Sequence, residues 1–172
     1  MLELVKVFWD IALLRRGPRD LPASRALLAL IAALYLAVGV LQLRLVYPPR
    51  VALLHAVTDL AFTVASFWLC LAIGRRRYRV LQTLTAVLGT GVLLAPAAML
   101  MFFVGLGFQP DAPATPALRH LLFVPVVVWE VAVLANIARR ALEAPLVTGI
   151  AVASTYYLLG LVIESQLPAP GG

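Results

Sequence analysis

The sequence predicts an all-α fold, a polytopic membrane helical bundle of five transmembrane helices preceded by an amphipathic interfacial helix. Three observations predict it. The 172 residues are 63% hydrophobic and only 13% charged, with a mean hydropathy of +0.98, whereas a soluble domain is about half apolar and a quarter charged. Apolar runs recur that reach the roughly 20 helical residues needed to cross a bilayer core. The basic residues fall between these runs. Gly74-Arg75-Arg76-Arg77-Tyr78-Arg79 carries four arginines in five residues, and a charge at the bilayer centre costs about 2.5 to 3.5 kcal/mol, so this basic turn sits at the water boundary on the cytoplasmic side.

The elements follow in order. In residues 1–16, Glu3, Lys6 and Asp10 share one helical face while Leu2, Val5, Trp9 and Leu13 cover the rest, which predicts an interfacial helix lying on lipid or on the protein's own cytoplasmic surface. Asp10 interrupts the apolar region and the arginines follow it, so the segment does not read as a signal peptide. Gly17-Pro18 stops the helix, and the linker to residue 24 offers Asp20 or Ser24 as N-cap for the first span.

The membrane domain covers 25–164, with spans near 25–46, 51–73, 80–106, 117–138 and 145–163, followed by a flexible tail, 165–172. Ala29, Ala33 and Ala37 recur every four residues on the first span, a spacing that lets helices approach closely in lipid and predicts a packed face. Tyr47-Pro48-Pro49-Arg50 is a tight outer turn. Pro96 bends the third span by freeing a carbonyl one turn back, the proline-rich stretch 107–116 is the main outer loop, and Pro145 suits the first turn of the last helix.

The charge bias supports this threading. Lys6, Arg15, Arg16, Arg19, Arg25, the four arginines of the turn, Arg139 and Arg140 fall inside, and only Arg44, Arg50 and Arg119 fall outside. The amino terminus is therefore cytoplasmic and the carboxyl terminus periplasmic. The net charge of +6 and pI near 10.2 reflect orientation signals and lipid contacts rather than nucleic-acid binding. Arginine-rich, lysine-poor usage, with Lys6 the single lysine, points to a GC-rich bacterial genome and an inner membrane. Cys70 has no cysteine partner and reads as a small core residue.

Ionisable groups within spans are costly, so His55, Asp59 and Glu130 form the candidate intramembrane polar site. Glu130, nine residues from Arg139, falls about 14 Å from the cytoplasmic edge, level with Tyr35 and Tyr156. A protonated Glu130 bonded to one of these tyrosines, to Ser154 or to Thr155 is the structural reading; a proton relay or ligand role is the functional one. His55 and Asp59, four residues apart, share a face where they can pair with each other or reach the carbonyl freed by Pro96. The same pair can instead line a polar cavity with Gln42, Thr58 and Thr63. Asp59 sits about 24 Å from the cytoplasmic edge, and a depth difference of about 10 Å separates it from Glu130. Asn136 reads as a hydrogen bond between helices.

The sequence carries no nucleophile elbow, P-loop, dinucleotide fingerprint or metal-ligand spacing, so no enzyme, cofactor or metal is expected. Arg75 to Gln82, Gly89-Thr90-Gly91 and Leu94-Ala95-Pro96, with the five-span plan, resemble the Yip family of small five-span membrane proteins over roughly residues 55–165. Leu14 to Ser24 resembles a group of uncharacterised proteobacterial inner-membrane proteins. The resemblance implies a non-enzymatic membrane protein acting through partners, without the family's long acidic amino-terminal segment. The expected function is accordingly that of an inner-membrane accessory or scaffold protein, associating with lipid, other membrane subunits or itself. The alternative is a small proton-coupled carrier or channel using Glu130 with Asp59 and His55.

Overall fold

A computed structural model describes residues 2–107 and 115–168. Most of the loop expected at 107–116 and the last four residues of the expected tail lie outside them. Among the described residues there are six α-helices and no strand: α1 (Leu2–Ala12), α2 (Arg25–Leu43), α3 (Pro49–Ile73), α4 (Val80–Gly107), α5 (Thr115–Leu142) and α6 (Leu146–Glu164). Four of them, α2, α3, α4 and α6, are long and apolar enough to cross a membrane, as in a multi-pass membrane protein.

Local chemistry sets the helix ends. Ser24 caps α2, its hydroxyl accepting from the Leu27 amide at 3.2 Å, while Asp20 accepts from the Gly17 amide at 3.0 Å and closes the short turn before it. Pro49 opens α3 within its first turn, and Pro145 stands just before α6 as its N-cap, where a missing N–H costs nothing. Helix α4 continues through Pro96.

Helix α4 is the hub, with α1, α2, α3 and α5 packed around it, while α6 pairs with α5 and touches α3. Two contacts fix each direction: α2 and α3 are antiparallel through Tyr35–Asp59 and Gly39–Ala56, α3 and α6 through Thr63–Tyr156 and Phe62–Gly160, and α5 and α6 through Glu130–Tyr157 and Ala135–Gly149. Helices α5 and α6 approach closely where Gly149 lies against the Ala135 carbonyl and Ala153, one turn on, is fully buried. Gly149 with Ala153 is therefore a small-residue face that packs inside this chain. Ala29, Ala33 and Ala37, expected to be a packed face, all point outward, because α2 turns Leu27, Leu28, Ile31 and Tyr35 towards the core instead.

Helix α1 docks on the bundle. Phe8, Ile11 and Ala12 are buried, the Phe8 ring lying where a Cβ on Gly89 of α4 would be, 2.2 Å from its Cε1. Three side chains of α5 hold the carbonyls at and beyond the end of α1. The Trp129 indole N–H donates to the Ala12 carbonyl at 2.8 Å, the Asn136 amide to that of Arg16 at 3.2 Å, and Arg140 to those of Leu14 and Arg15. These are carbonyls that a helix end leaves without intrahelical partners. Asn136 thus serves a backbone strap rather than a neighbouring helix, and its Oδ1 accepts from Arg139 and Arg140. Val5 and Trp9 lie on the exposed side beside Lys6, so the apolar residues of α1 divide between two faces. Gly89→Ala is expected to push Phe8 off α4 and release α1, read as faster proteolysis between Arg15 and Arg19 with the rest of the bundle intact.

At the arginine end, Glu143 in the α5–α6 turn draws three loops together. It pairs with Arg19 before α2, with Arg76 at 2.5 Å and with Arg79 at 2.6 Å, both between α3 and α4. Arg79 also donates to the Arg140 and Ala141 carbonyls at 3.1 and 3.2 Å. Two of the four turn arginines are thereby held by protein. Arg77 stands over the Trp68 ring at 5.6 Å.

The Arg79 hydrogen bond, with the charges of Arg76 and Arg19, holds the Glu143 carboxyl below its ordinary range. A carboxylate depressed in the folded state contributes stability above its unfolded value and loses it as pH falls through the folded value. Wild type should therefore lose thermal stability on acidification below the ordinary carboxylate range, while Glu143→Gln should start lower at neutral pH and show a flatter profile. Thermal unfolding in neutral detergent across pH reads this directly, and parallel profiles would refute it.

Candidate functional site

Four helices bring carboxyls and hydroxyls to a common layer. Asp59 on α3 accepts from the Tyr35 hydroxyl of α2 at 2.7 Å. Glu130 on α5 accepts from the Tyr157 hydroxyl of α6 at 2.6 Å. Between the two pairs, Thr63 of α3 and Tyr156 of α6 join hydroxyl to hydroxyl at 2.8 Å. The Tyr156 ring stacks on Phe62 with centroids 5.1 Å apart and meets Tyr157 edge-on at 5.7 Å. Each carboxyl is thus oriented by a tyrosine on a neighbouring helix, in a bond worth about 0.5–1.5 kcal/mol net when neutral and about 1.5–3 when charged.

All of these except the fully buried Thr63 wall a cavity of about 540 Å3, which runs from Thr90 and Val133 inside the bundle to Val46, Glu164 and Leu167 at the end away from the arginines. Its volume falls in the roughly 300–1,000 Å3 range of small-molecule sites. Asp59 is exposed and Glu130 half-buried, and both line this single cavity.

Counted from Arg139 and Arg75, the sequence separates them in depth by about 10 Å. Helix α5 instead runs on to Leu142, which lies against Gly74 at the end of α3. From those level ends Asp59 is fourteen residues in, about 21 Å, and Glu130 twelve, about 18 Å. The two carboxyls are close to one level.

Other expected partners change as well. Glu130 is held by Tyr157, while Tyr35 serves Asp59 and Tyr156 serves Thr63. Consecutive α6 residues lie about 100° apart, so Tyr156 and Tyr157 face different neighbours. His55 and Asp59 do not pair. His55 is buried against Tyr47, ring centroids 4.5 Å apart, and its Nε2 lies 3.1 Å from the Pro168 carbonyl, which makes Nε2 the protonated nitrogen.

Neither His55 nor Asp59 reaches the backbone near Pro96. Gln42 of α2 does so, donating to the Ala95 carbonyl at 2.9 Å and tying α2 to α4 where the proline interrupts the helical ladder. The α6 pair Tyr156-Tyr157 is the feature sequence reasoning underweighted. Two adjacent phenols inside an apolar helix were its visible signal.

Among the described residues no three of His, Cys, Asp and Glu stand together as a metal site. The arrangement suits exchange of a proton, or of a small cation in its place, between two oriented carboxyls and a shared cavity. No family model, no curated protein and no solved structure matches the chain.

Proposed function

We propose that this chain is a five-span protein of the bacterial inner membrane, amino terminus cytoplasmic and carboxyl terminus periplasmic, that works as a small proton-coupled carrier. Helix α5 is the span added to the other four, and the antiparallel packing of α2 on α3, of α3 on α6 and of α5 on α6 supports that count. The observation that carries the function is the pair of tyrosine-held carboxyls, Asp59 and Glu130, on one cavity wall. A carboxylate with no counter-charge is costly in an apolar layer, so each carboxyl exchanges its proton only where the cavity offers an exit or a cation in its place.

The cavity reaches the end of the bundle opposite the arginine turn, so in this conformation exchange takes place with the periplasm. The purified protein in liposomes tests the proposal, with an imposed pH gradient, an internal pH-sensitive dye and inorganic and organic cations supplied as exchange partners. Proton movement above that of empty liposomes is expected, and its absence would overturn the carrier reading.

A second reading, the accessory or scaffold protein that resemblance to the Yip family implies, is favoured by the outward-facing Ala29, Ala33 and Ala37. On that reading a stoichiometric membrane partner, or a second copy, co-purifies in mild detergent and is lost in Ala33→Leu. In both readings Val5 and Trp9 of α1 and the arginine turn face the lipid surface.

A further inference from the structure

The cavity is one-sided in charge as well as apolar in bulk. Asp59, Glu130 and Glu164 are on its wall, and among its described lining residues there is no lysine or arginine. The remaining titratable groups facing the two inner carboxyls are Tyr35 from α2, His55 from α3, and Tyr156 and Tyr157 from α6; α4 contributes none among the described residues. Most of the remaining wall is aliphatic and aromatic, including Phe62 and the ring of Tyr156 stacked on it. Such faces attract cations through their quadrupole.

An anion entering this space would meet three carboxyls and, among the described residues, no counter-charge. A neutral molecule could hydrogen-bond to them but could not replace the charge of a departing proton. A cation with an apolar body satisfies both features, because its body replaces water along the wall and its charge replaces a carboxyl proton.

From this we infer that the cavity takes a lipophilic organic cation, an amine or quaternary onium ion, in exchange for a proton. The inference rests on the proposed carrier reading and names the substrate class for the same site. Binding is electroneutral: the cation enters, the carboxyl of Asp59 or Glu130 releases its proton to the outer water, and the negative charge left behind is matched by the ligand. Glu164, at the outer end of α6, stands on the same wall as a first contact for an entering cation.

The test is equilibrium binding to the full-length protein in neutral detergent micelles, corrected against protein-free micelles, with tetraphenylphosphonium and tetraphenylborate as probes of the same shape and opposite charge. Saturable binding of the phosphonium and not of the borate is expected. That binding should weaken at least tenfold in Asp59→Asn and in Glu130→Gln, several-fold in Glu164→Gln, and progressively in wild type as pH is lowered. The wild-type pH series and the peripheral Glu164→Gln keep the test decisive if an inner variant fails to fold.

Equal binding of the two ions, binding unaffected by pH and by all three variants, or no phosphonium binding at all would overturn the inference. Because detergent binding needs no transport, the two proposals can fail separately. Phosphonium binding without proton flux in liposomes would sink the carrier and keep the ligand class. Flux without phosphonium binding would do the reverse.

Discussion

Glu130→Gln is expected to reduce pH-gradient-driven proton movement at least tenfold while leaving the bundle folded. Glutamine has the shape of a protonated glutamate, and its carbonyl can still accept from the Tyr157 hydroxyl, so the link between α5 and α6 persists. What disappears is the exchangeable proton. The companion Tyr157→Phe reverses the roles: it keeps the titratable group and removes its partner, leaving a half-buried carboxyl unsatisfied at a cost of about 1–3 kcal/mol. That variant should be less thermostable than wild type yet retain flux. Dye-reported flux in liposomes, set beside thermal unfolding of the same preparations, separates the two effects. Unchanged flux in Glu130→Gln would remove Glu130 from the mechanism and leave Asp59 as the one carboxyl to examine.

Gly149→Ala is expected to be the most destabilising of the glycine substitutions in the bundle. The added Cβ would lie 2.2 Å from the Ala135 carbonyl oxygen and 3.1 Å from its carbon. Both are backbone atoms of a packed helix and cannot swing aside. Helix α6 must therefore move by about an ångström from α5, and overpacking of this kind costs about 1–3 kcal/mol. In lipid the loss is not recovered by burying apolar surface elsewhere, since close packing is what holds helices together there.

The displacement should also lengthen the Tyr157–Glu130 hydrogen bond, so flux is expected to fall with stability. Gly39 and Gly160 are the controls, because a Cβ there meets Ala56 at 3.7 Å and Phe62 at 3.5 Å, ordinary contact distances. Gly39→Ala and Gly160→Ala should leave the unfolding temperature unchanged, and a Gly149→Ala melt equal to theirs would refute the packing argument.

What the sequence by itself determined is the part of the fold written in solvent preference. Long apolar runs must hydrogen-bond their own backbone, so they are helices, and arginines cannot enter the apolar layer, so Gly74 to Arg79 marks a turn. The helix bounds follow to within a few residues for α2, α3, α4 and α6. Ser24 is legible as a cap because its hydroxyl acts on the next turn of the same chain. His55, Asp59 and Glu130 stand out one by one, since each ionisable group within an apolar run is conspicuous on its own. Sequence patterns also marked Ala29, Ala33 and Ala37 as small-residue positions, but spacing alone does not say whether such a face meets this chain or something outside it.

Pairing was decided only by the tertiary structure. Which tyrosine meets which carboxyl depends on helix rotation, and a shift of one residue along α6 exchanges Tyr156 for Tyr157. Whether Asp59 and Glu130 share a level depends on where α5 ends, and that end is set by Arg79 and Glu143 bonding across three loops. The docking of α1 likewise needed the absence of a side chain at Gly89 and the carbonyl-binding groups of Trp129, Asn136 and Arg140 on a helix more than a hundred residues away. Hydropathy and helical period act within one segment, whereas a cavity between helices arises from how the segments are turned towards one another. The tertiary structure therefore turned three isolated polar residues into two oriented carboxyls on one wall, with His55 on the same cavity but bonded to the carboxyl-terminal segment instead of to Asp59.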